Sequence, residues 1–205
     1  MDPPTPCVPS DPAPSSSISS TLLAGLKVQD AEAYRRLVYL FGPVVYEWCR
    51  RCRLQASDAG DVAQEVFRSV TARVSGFERG TFRGWLWTIT RNKIRDHFRV
   101  RRADAAAIGG TNARARFEQL ADPAEDTVEE PPVSDTRRLL TRRVLEMIRG
   151  DFDERTWQAF WRMAVDGHAS ADIAADLRMS NDAVRQAKRR VLRRLQEELS
   201  ALLGD

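Results

Sequence analysis

The chain has 205 residues, enough for one large domain or two small ones, with an ordinary apolar content of 42%. Its net charge is only +3, so a polyanion-binding role must come from clustered Lys and Arg, not from their total. No apolar run approaches the ~18 residues of a membrane span. The start also lacks the basic and apolar regions of a secretory signal, so the cytoplasm is the expected compartment.

Residues 1–20 are rich in Pro and Ser with almost no large apolar side chain, and are expected to form a disordered tail. Leu22, Leu23, Leu26 and Val28 predict a short helix. From Asp30, Tyr34, Leu37, Val38, Phe41, Val44, Val45, Trp48, Cys49 and Cys52 keep a helical period, with a kink expected at Gly42-Pro43. Cys49 and Cys52 form a CxxC. A structural zinc site needs four ligands, and Cys7, His97 and His168 stand at no ligand spacing. The pair therefore reads as small residues on a helix, with no metal or cofactor implied.

Ser57 and Asp58 predict the N-cap and acidic first turn of a helix reaching about Ser75. Val62, Val66, Ser69, Val70 and Val74 can face a core. Phe67 lies beside that stripe and reads equally as a second core edge or as an exposed anchor for a protein partner. Gly76 and Gly80 bracket the following turn.

Residues 81–102, TFRGWLWTITRNKIRDHFRVRR, set Arg83, Arg91, Lys93, Arg95, Arg99, Arg101 and Arg102 against one acid, Asp96. Wound at ~100° per residue, Phe82, Trp85, Leu86 and Ile89 share one side. Arg91, Arg95, Arg99 and Arg102 form a nearly opposite stripe, bordered by Asn92 and Asp96. Trp87, Ile94 and Phe98 make a second apolar edge. On a solvated face, acids normally interleave to form pairs with the bases. Here the stripe repels itself unless an anion lies along it, which points to nucleic acid.

After Arg102 the composition turns Ala- and Gly-rich. Residues 117–135 then carry Glu118, Asp122, Glu125, Asp126, Glu129, Glu130 and Asp135 with no Lys or Arg, plus three prolines. This is a linker by composition. Ser134 and Asp135 predict the cap of a helix to about Arg149, Asp153 opens another, and Asp166-Gly167 closes it. Ser170 is expected to cap a short helix holding Ile173, Ala174 and Leu177. Ser180 caps a long one reaching about Leu203, with Val184, Ala187, Val191, Leu195, Leu199 and Leu202 inward. That is a helix-turn-helix pattern. Arg185, Gln186, Arg189 and Arg193 lie opposite the apolar stripe, with Arg190 beside them and Asn181 and Asp182 at the start. Arg, Asn and Gln are the side chains that read base edges. Lys188, Arg190, Arg193 and Arg194 are placed for phosphates.

Three motifs together resemble the extracytoplasmic-function (ECF) sigma factors of bacterial RNA polymerase, over about residues 22–203. They are residues 58–67 (DAGDVAQEVF), residues 82–99 (FRGWLWTITRNKIRDHFR), and the helix-turn-helix from Asp172 to Arg185. The resemblance implies an all-α fold of two small helical domains joined by a flexible acidic linker. Residues 1–20 would be the tail, 21–103 sigma region 2, 104–134 the linker and 135–205 the region 4 helix-turn-helix domain. It implies polymerase binding by Asp58, Asp61, Gln64, Glu65 and Phe67, minus-10 contacts by Arg91, Asn92, Lys93, Arg95, Asp96, Arg99 and Arg102, and minus-35 contacts by Ser180, Asn181, Asp182, Arg185, Gln186, Arg189, Arg190 and Arg193. The implied partners are core RNA polymerase (through the clamp helices of its largest subunit and its flap region), promoter DNA, and an anti-sigma factor where one exists. The linker acids are expected to occupy a basic polymerase channel. No catalytic residue, cofactor or membrane insertion is implied.

The sequence departs from the family pattern at Asp151-Phe152-Asp153, where Leu-Pro is usual, at Asp172 for Glu, and at Gln186-Ala187 for Ser-Arg. A stand-alone helix-turn-helix regulator would explain only the second half. An enzyme acting on DNA would need a nucleophile and organised acids.

Overall fold

The computed structural model describes residues 18–107 and 130–204, and every regular element in them is helical. In chain order these are α1 (Ile18–Lys27), α2 (Ala31–Arg51), α3 (Ala56–Arg73), α4 (Phe82–Ala107), α5 (Val133–Ile148), α6 (Glu154–Ala164), α7 (Ser170–Leu177) and α8 (Asn181–Leu203). Short 3₁₀ turns follow α3 at Val74–Gly76 and α5 at Arg149–Asp151. The all-α expectation holds. Most of the expected tail and linker lies outside the described residues.

Local chemistry sets the helix ends. Asp30 caps α2, its carboxylate accepting from the N–H groups of Glu32 and Ala33 at 3.3 and 3.0 Å. Asp153 caps α6 through the N–H of Thr156 at 2.9 Å, and Ser180 caps α8 through that of Ala183 at 3.1 Å. Elsewhere the caps move. The N-cap of α3 falls two residues before the predicted one, at Gln55, and makes no side-chain bond. Pro132, not Ser134, precedes α5, and Ala169 precedes α7. At each of these ends the helix starts on extended backbone and the polar side chain falls inside the first turn. Pro43 does not end α2, which runs through it to Arg51.

The two halves share one core. Leu37, Leu40, Phe41, Val44, Val45 and Trp48 of α2 belong to the same apolar cluster as Leu140, Val144 and Ile148 of α5 and Val191, Leu195, Leu199 and Leu202 of α8. Each fully buried aliphatic or aromatic side chain contributes ~1.5–3 kcal/mol. A smaller second cluster holds Ala159, Ile173, Ala174, Val184 and Ala187 inside the helix-turn-helix. Helices α1 and α2 cross closely because Gly25 has no side chain: a Cβ there would lie 2.6 Å from that of Ala33. Gly25→Ala is expected to lower stability by ~1–3 kcal/mol through overpacking, measured by urea unfolding. A stabilised variant would show that this crossing relaxes freely.

Candidate nucleic-acid and polymerase interfaces

Helix α4 is oriented by aromatic packing. Phe82 meets Phe41 edge-on at 5.2 Å between centroids, and Trp87 meets Trp48 at 5.4 Å. Phe77, in the loop before the helix, packs on Trp85 at 5.1 Å and on Phe82 at 6.0 Å. That loop is therefore tied to the first turn of α4. With Leu86, Ile89 and Ile94 also buried, the opposite side of the helix faces outward. Asn92, Asp96, Arg99 and Arg102 are exposed there, and Arg91, Lys93 and Arg95 are half-buried. The expected minus-10 residues thus share one region of one helix. A cavity of about 340 Å³ opens beside them, lined by Ile89, Asn92, Lys93, Arg95, Asp96 and Arg73. Arg73 escaped the sequence reading because it sits on α3, and a one-helix projection does not show what a neighbouring helix contributes.

Arg83 belongs to the same basic run but points inward, at 4% exposure. Its guanidinium lies 5.9 Å from the Trp48 ring centroid. It donates to the Glu130 carboxylate, to the Pro131 carbonyl, and to the Thr136 hydroxyl at 3.3 Å. A buried guanidinium needs such partners to offset its lost hydration.

On α3 the residues implied for polymerase binding divide. Asp61 and Gln64 are exposed. Asp58 and Glu65 face α4: Asp58 pairs with Arg101 at 2.6 Å and lies 3.6 Å from His97, and Glu65 lies 3.6 Å from Lys93 while pairing with Arg68 at 2.6 Å. Two of the expected docking acids therefore also bind the helix expected to carry DNA contacts. Phe67 corrects the sequence expectation of an exposed anchor. It is buried at 4% in the main core, because Val66 and Phe67 are both covered where α3 packs between neighbours.

In the second half α7 and α8 make the expected helix-turn-helix. Arg178 in the turn is left-handed, with φ 50° and ψ 51°. The N–H of Met179 donates to the Ala174 carbonyl at 2.9 Å, and Arg155 holds the turn from α6 by donating to the Leu177 and Arg178 carbonyls, both at 2.8 Å. Arg178→Gly is expected to raise stability by roughly 1 kcal/mol, by removing the left-handed strain, in a thermal unfolding scan. A lower midpoint would mean the arginine side chain matters more than its backbone.

Ser180, Asn181, Asp182, Arg185, Gln186, Arg189, Arg190 and Arg193 are all exposed. Val184 and Ala187 lie beneath them in the small core. Arg194 corrects a second expectation. It bonds Asp151 at 3.0 Å and the fully buried Glu198, so it faces the interior and not a phosphate. The Glu four residues later was the available signal. Among the described residues no group of three His, Cys, Asp or Glu could hold a metal. Burial pushes the Cys49 thiol up to about 12.

Comparison with known proteins meets this geometry. Residues 33–103, which span α2 to most of α4, match the Sigma-70 region 2 family. The chain is 28% identical over 172 residues to the RNA polymerase sigma factor CnrH of Cupriavidus metallidurans, covering 83% of this chain and 86% of that protein. It is 28% identical over 99 residues to the ECF RNA polymerase sigma factor SigW of Bacillus subtilis, covering 46% and 53%. A solved structure of CnrH in complex with the cytosolic domain of CnrY is 26% identical and covers 90% of this chain and 98% of that one, at a TM-score of 0.37. The α2–α4 unit thus matches the sigma-70 region 2 family over residues 33–103. The chain is a homologue of the ECF sigma factors, with a role in transcription initiation.

Proposed function

We propose that the protein binds core RNA polymerase through α3, reads and melts the minus-10 element with α4, and reads the minus-35 element with α7 and α8. The observation that supports this most is the pairing of two exposed basic helix faces, each backed by a buried apolar face. Melting a promoter means capturing unstacked bases beside an electropositive track. The α4 stripe, with its adjoining cavity, offers such a track. The exposed start of α8 offers Arg185, Gln186 and Arg189 to base edges in the major groove. Docking would use Asp61 and Gln64 directly, with Glu65 and Asp58 shared with α4. The cytoplasm, where the polymerase works, is the corresponding compartment. CnrH is known in complex with the cytosolic domain of CnrY, and a protein regulator of that kind belongs among the partners to test here.

The test is transcription from a promoter library with core polymerase, with and without the protein. Promoter-specific transcripts that need the protein are expected. Their absence, with sequence-specific DNA binding retained, would favour a stand-alone helix-turn-helix regulator. Within that assay, replacing Arg91, Arg95 and Arg99 together by Gln should weaken open complexes and flatten their salt slope by up to ~2, at about 0.7 per single-strand phosphate contact. Permanganate reactivity of the bubble reads this directly. Arg185→Ala should cost ~1–3 kcal/mol at one base pair of the minus-35 element in a competition over a randomised site. An unchanged preferred sequence would mean α8 is rotated differently on the groove.

A further inference from the structure

A cavity of about 440 Å³ opens on the outer side of α6, away from the residues assigned to promoter DNA and to polymerase docking. It is lined by Glu146 of α5, Arg149 of the turn that follows, and Trp157, Gln158, Trp161 and Arg162 of α6. The four α6 residues share a face because they stand one helical turn apart in two adjacent pairs. The volume falls within the ~300–1,000 Å³ of small-molecule sites.

Aromatic stacking supplies one wall. The rings of Phe152 and Trp157 are stacked at 6.5 Å between centroids, and those of Trp157 and Trp161 at 6.1 Å, both with planes 30° apart. Trp161 ends this column at 39% exposure, while the other four tryptophans are buried or half-buried. An exposed indole gains by being covered. A flat aromatic ligand on Trp161 would extend the column by one member.

The rim supplies charge and a hydrogen-bond edge. Arg162 is half-buried and held in place, donating to the Asp176 carboxylate of α7 at 2.7 Å and to Nδ1 of His168 at 3.4 Å. The Arg149 guanidinium has one long contact among the described residues, to Glu154 at 3.4 Å, and both side chains are more than half exposed. Such a pair contributes little, so Arg149 turns to an anionic ligand at small cost. Arginine binds phosphate through paired, charge-assisted hydrogen bonds, which are stronger. Glu146, the one acid on the wall, already accepts from Arg142 at 3.1 Å and from the Tyr39 hydroxyl. Gln158 donates its Nε2 to Glu154 at 3.0 Å, which leaves its amide oxygen as an acceptor for an exocyclic amino group.

We propose that this cavity binds a nucleotide, with its base on Trp161, an amino group of the base on Gln158, and its phosphates between Arg149 and Arg162. The same chemistry is carried by a nucleotide free in solution and by the phosphorylated end of a strand. Because Arg162 also holds α7 through Asp176, a phosphate there competes for that contact and ties occupancy to the first helix of the helix-turn-helix.

Titration of the full chain with ATP tests this, followed by tryptophan emission and, in parallel, by calorimetry. Saturable quenching is expected. In Trp161→Phe the quenching should vanish while calorimetric binding persists, because phenylalanine still stacks. Trp161→Ala should weaken binding roughly tenfold, within the range of one base–aromatic stack. Arg149→Gln changes an exposed side chain and leaves the fold intact. It should weaken ATP binding several-fold and leave the weaker binding of adenosine unchanged. Inorganic triphosphate should give no quenching. A dinucleotide with a terminal triphosphate separates the two sources: tighter binding than ATP assigns the strand end, weaker binding the free nucleotide, and either supports the site.

No saturable quenching by ATP would overturn the proposal, as would affinity that Trp161→Ala and Arg149→Gln both leave intact. Binding abolished by replacing Arg91, Arg95 and Arg99, but not by Trp161→Ala, would move the nucleotide to the α4 stripe and reject this cavity. Weaker polymerase affinity in Trp161→Ala, with no response to ATP in the wild type, would make the face a protein contact instead.

Discussion

Phe67→Ala is expected to lower the unfolding free energy by ~3–5 kcal/mol, one of the two largest effects of any single change considered. Phe67 stands in the middle of α3 with Val66 and Val70, all in the core that α2 and α4 share with it. Truncation removes the ring and leaves a cavity that the surrounding helices close only in part. Urea unfolding followed by far-UV circular dichroism measures the loss. The same variant separates a core role from a docking role. Polymerase affinity should fall only in proportion to the folded fraction, and lowering the temperature should restore it. A variant that keeps wild-type stability but no longer binds polymerase would return Phe67 to the surface.

Arg83→Met should cost ~2–3 kcal/mol, the range for hydrogen bonds made by a charged donor. The methionine keeps an apolar stem but removes the guanidinium from over Trp48 and leaves the Pro131 carbonyl and Thr136 hydroxyl without their donor. The cost stays below the ~3–5 kcal/mol of a fully buried broken pair. The reason is that Glu130 is 44% exposed and regains water when the arginine goes. Hydrogen exchange is the sharper readout. Amides in the first turns of α5, which begin beside Thr136, should lose protection before those of α2. Uniform loss along both helices would place the effect of Arg83 in the general core instead of in this junction.

What the sequence made readable was whatever one helix decides alone. The α4 stripe emerged from periodicity because Phe82, Leu86 and Ile89 bury one side and leave Asn92, Asp96 and Arg99 on the other. The α8 reading face emerged for the same reason, and Ser180 caps it as its side-chain chemistry demands. What stayed hidden depends on which helix lies across the way. Phe67 beside an apolar stripe looks the same whether α2 and α4 or a polymerase covers it. Arg83 looked like one more surface cation because its partners stand 47 to 53 positions along the chain. Arg194 hides only in part: Asp151 is 43 positions away, but Glu198 lies one turn along the same helix. The shared core of the two halves was equally unreadable: composition marks where a linker lies, not whether the parts it joins embrace.

Five buried side chains, three of them alanines, with the partly buried Met163, Leu177 and Met179 against them, fill the interior of the helix-turn-helix, while α8 continues from there into the large core. A single helix therefore serves two interiors of very different strength. Its first turns, where sequence is read, rest on the weaker one and should fluctuate as a separate cooperative unit. Seating that unit on a promoter quiets it, so binding should carry a larger heat-capacity decrease than the contacted area alone produces. The protein then reads DNA with its most pliable end and keeps the far end of the same helix rigid, so that a fit made at the groove is felt along the whole rod.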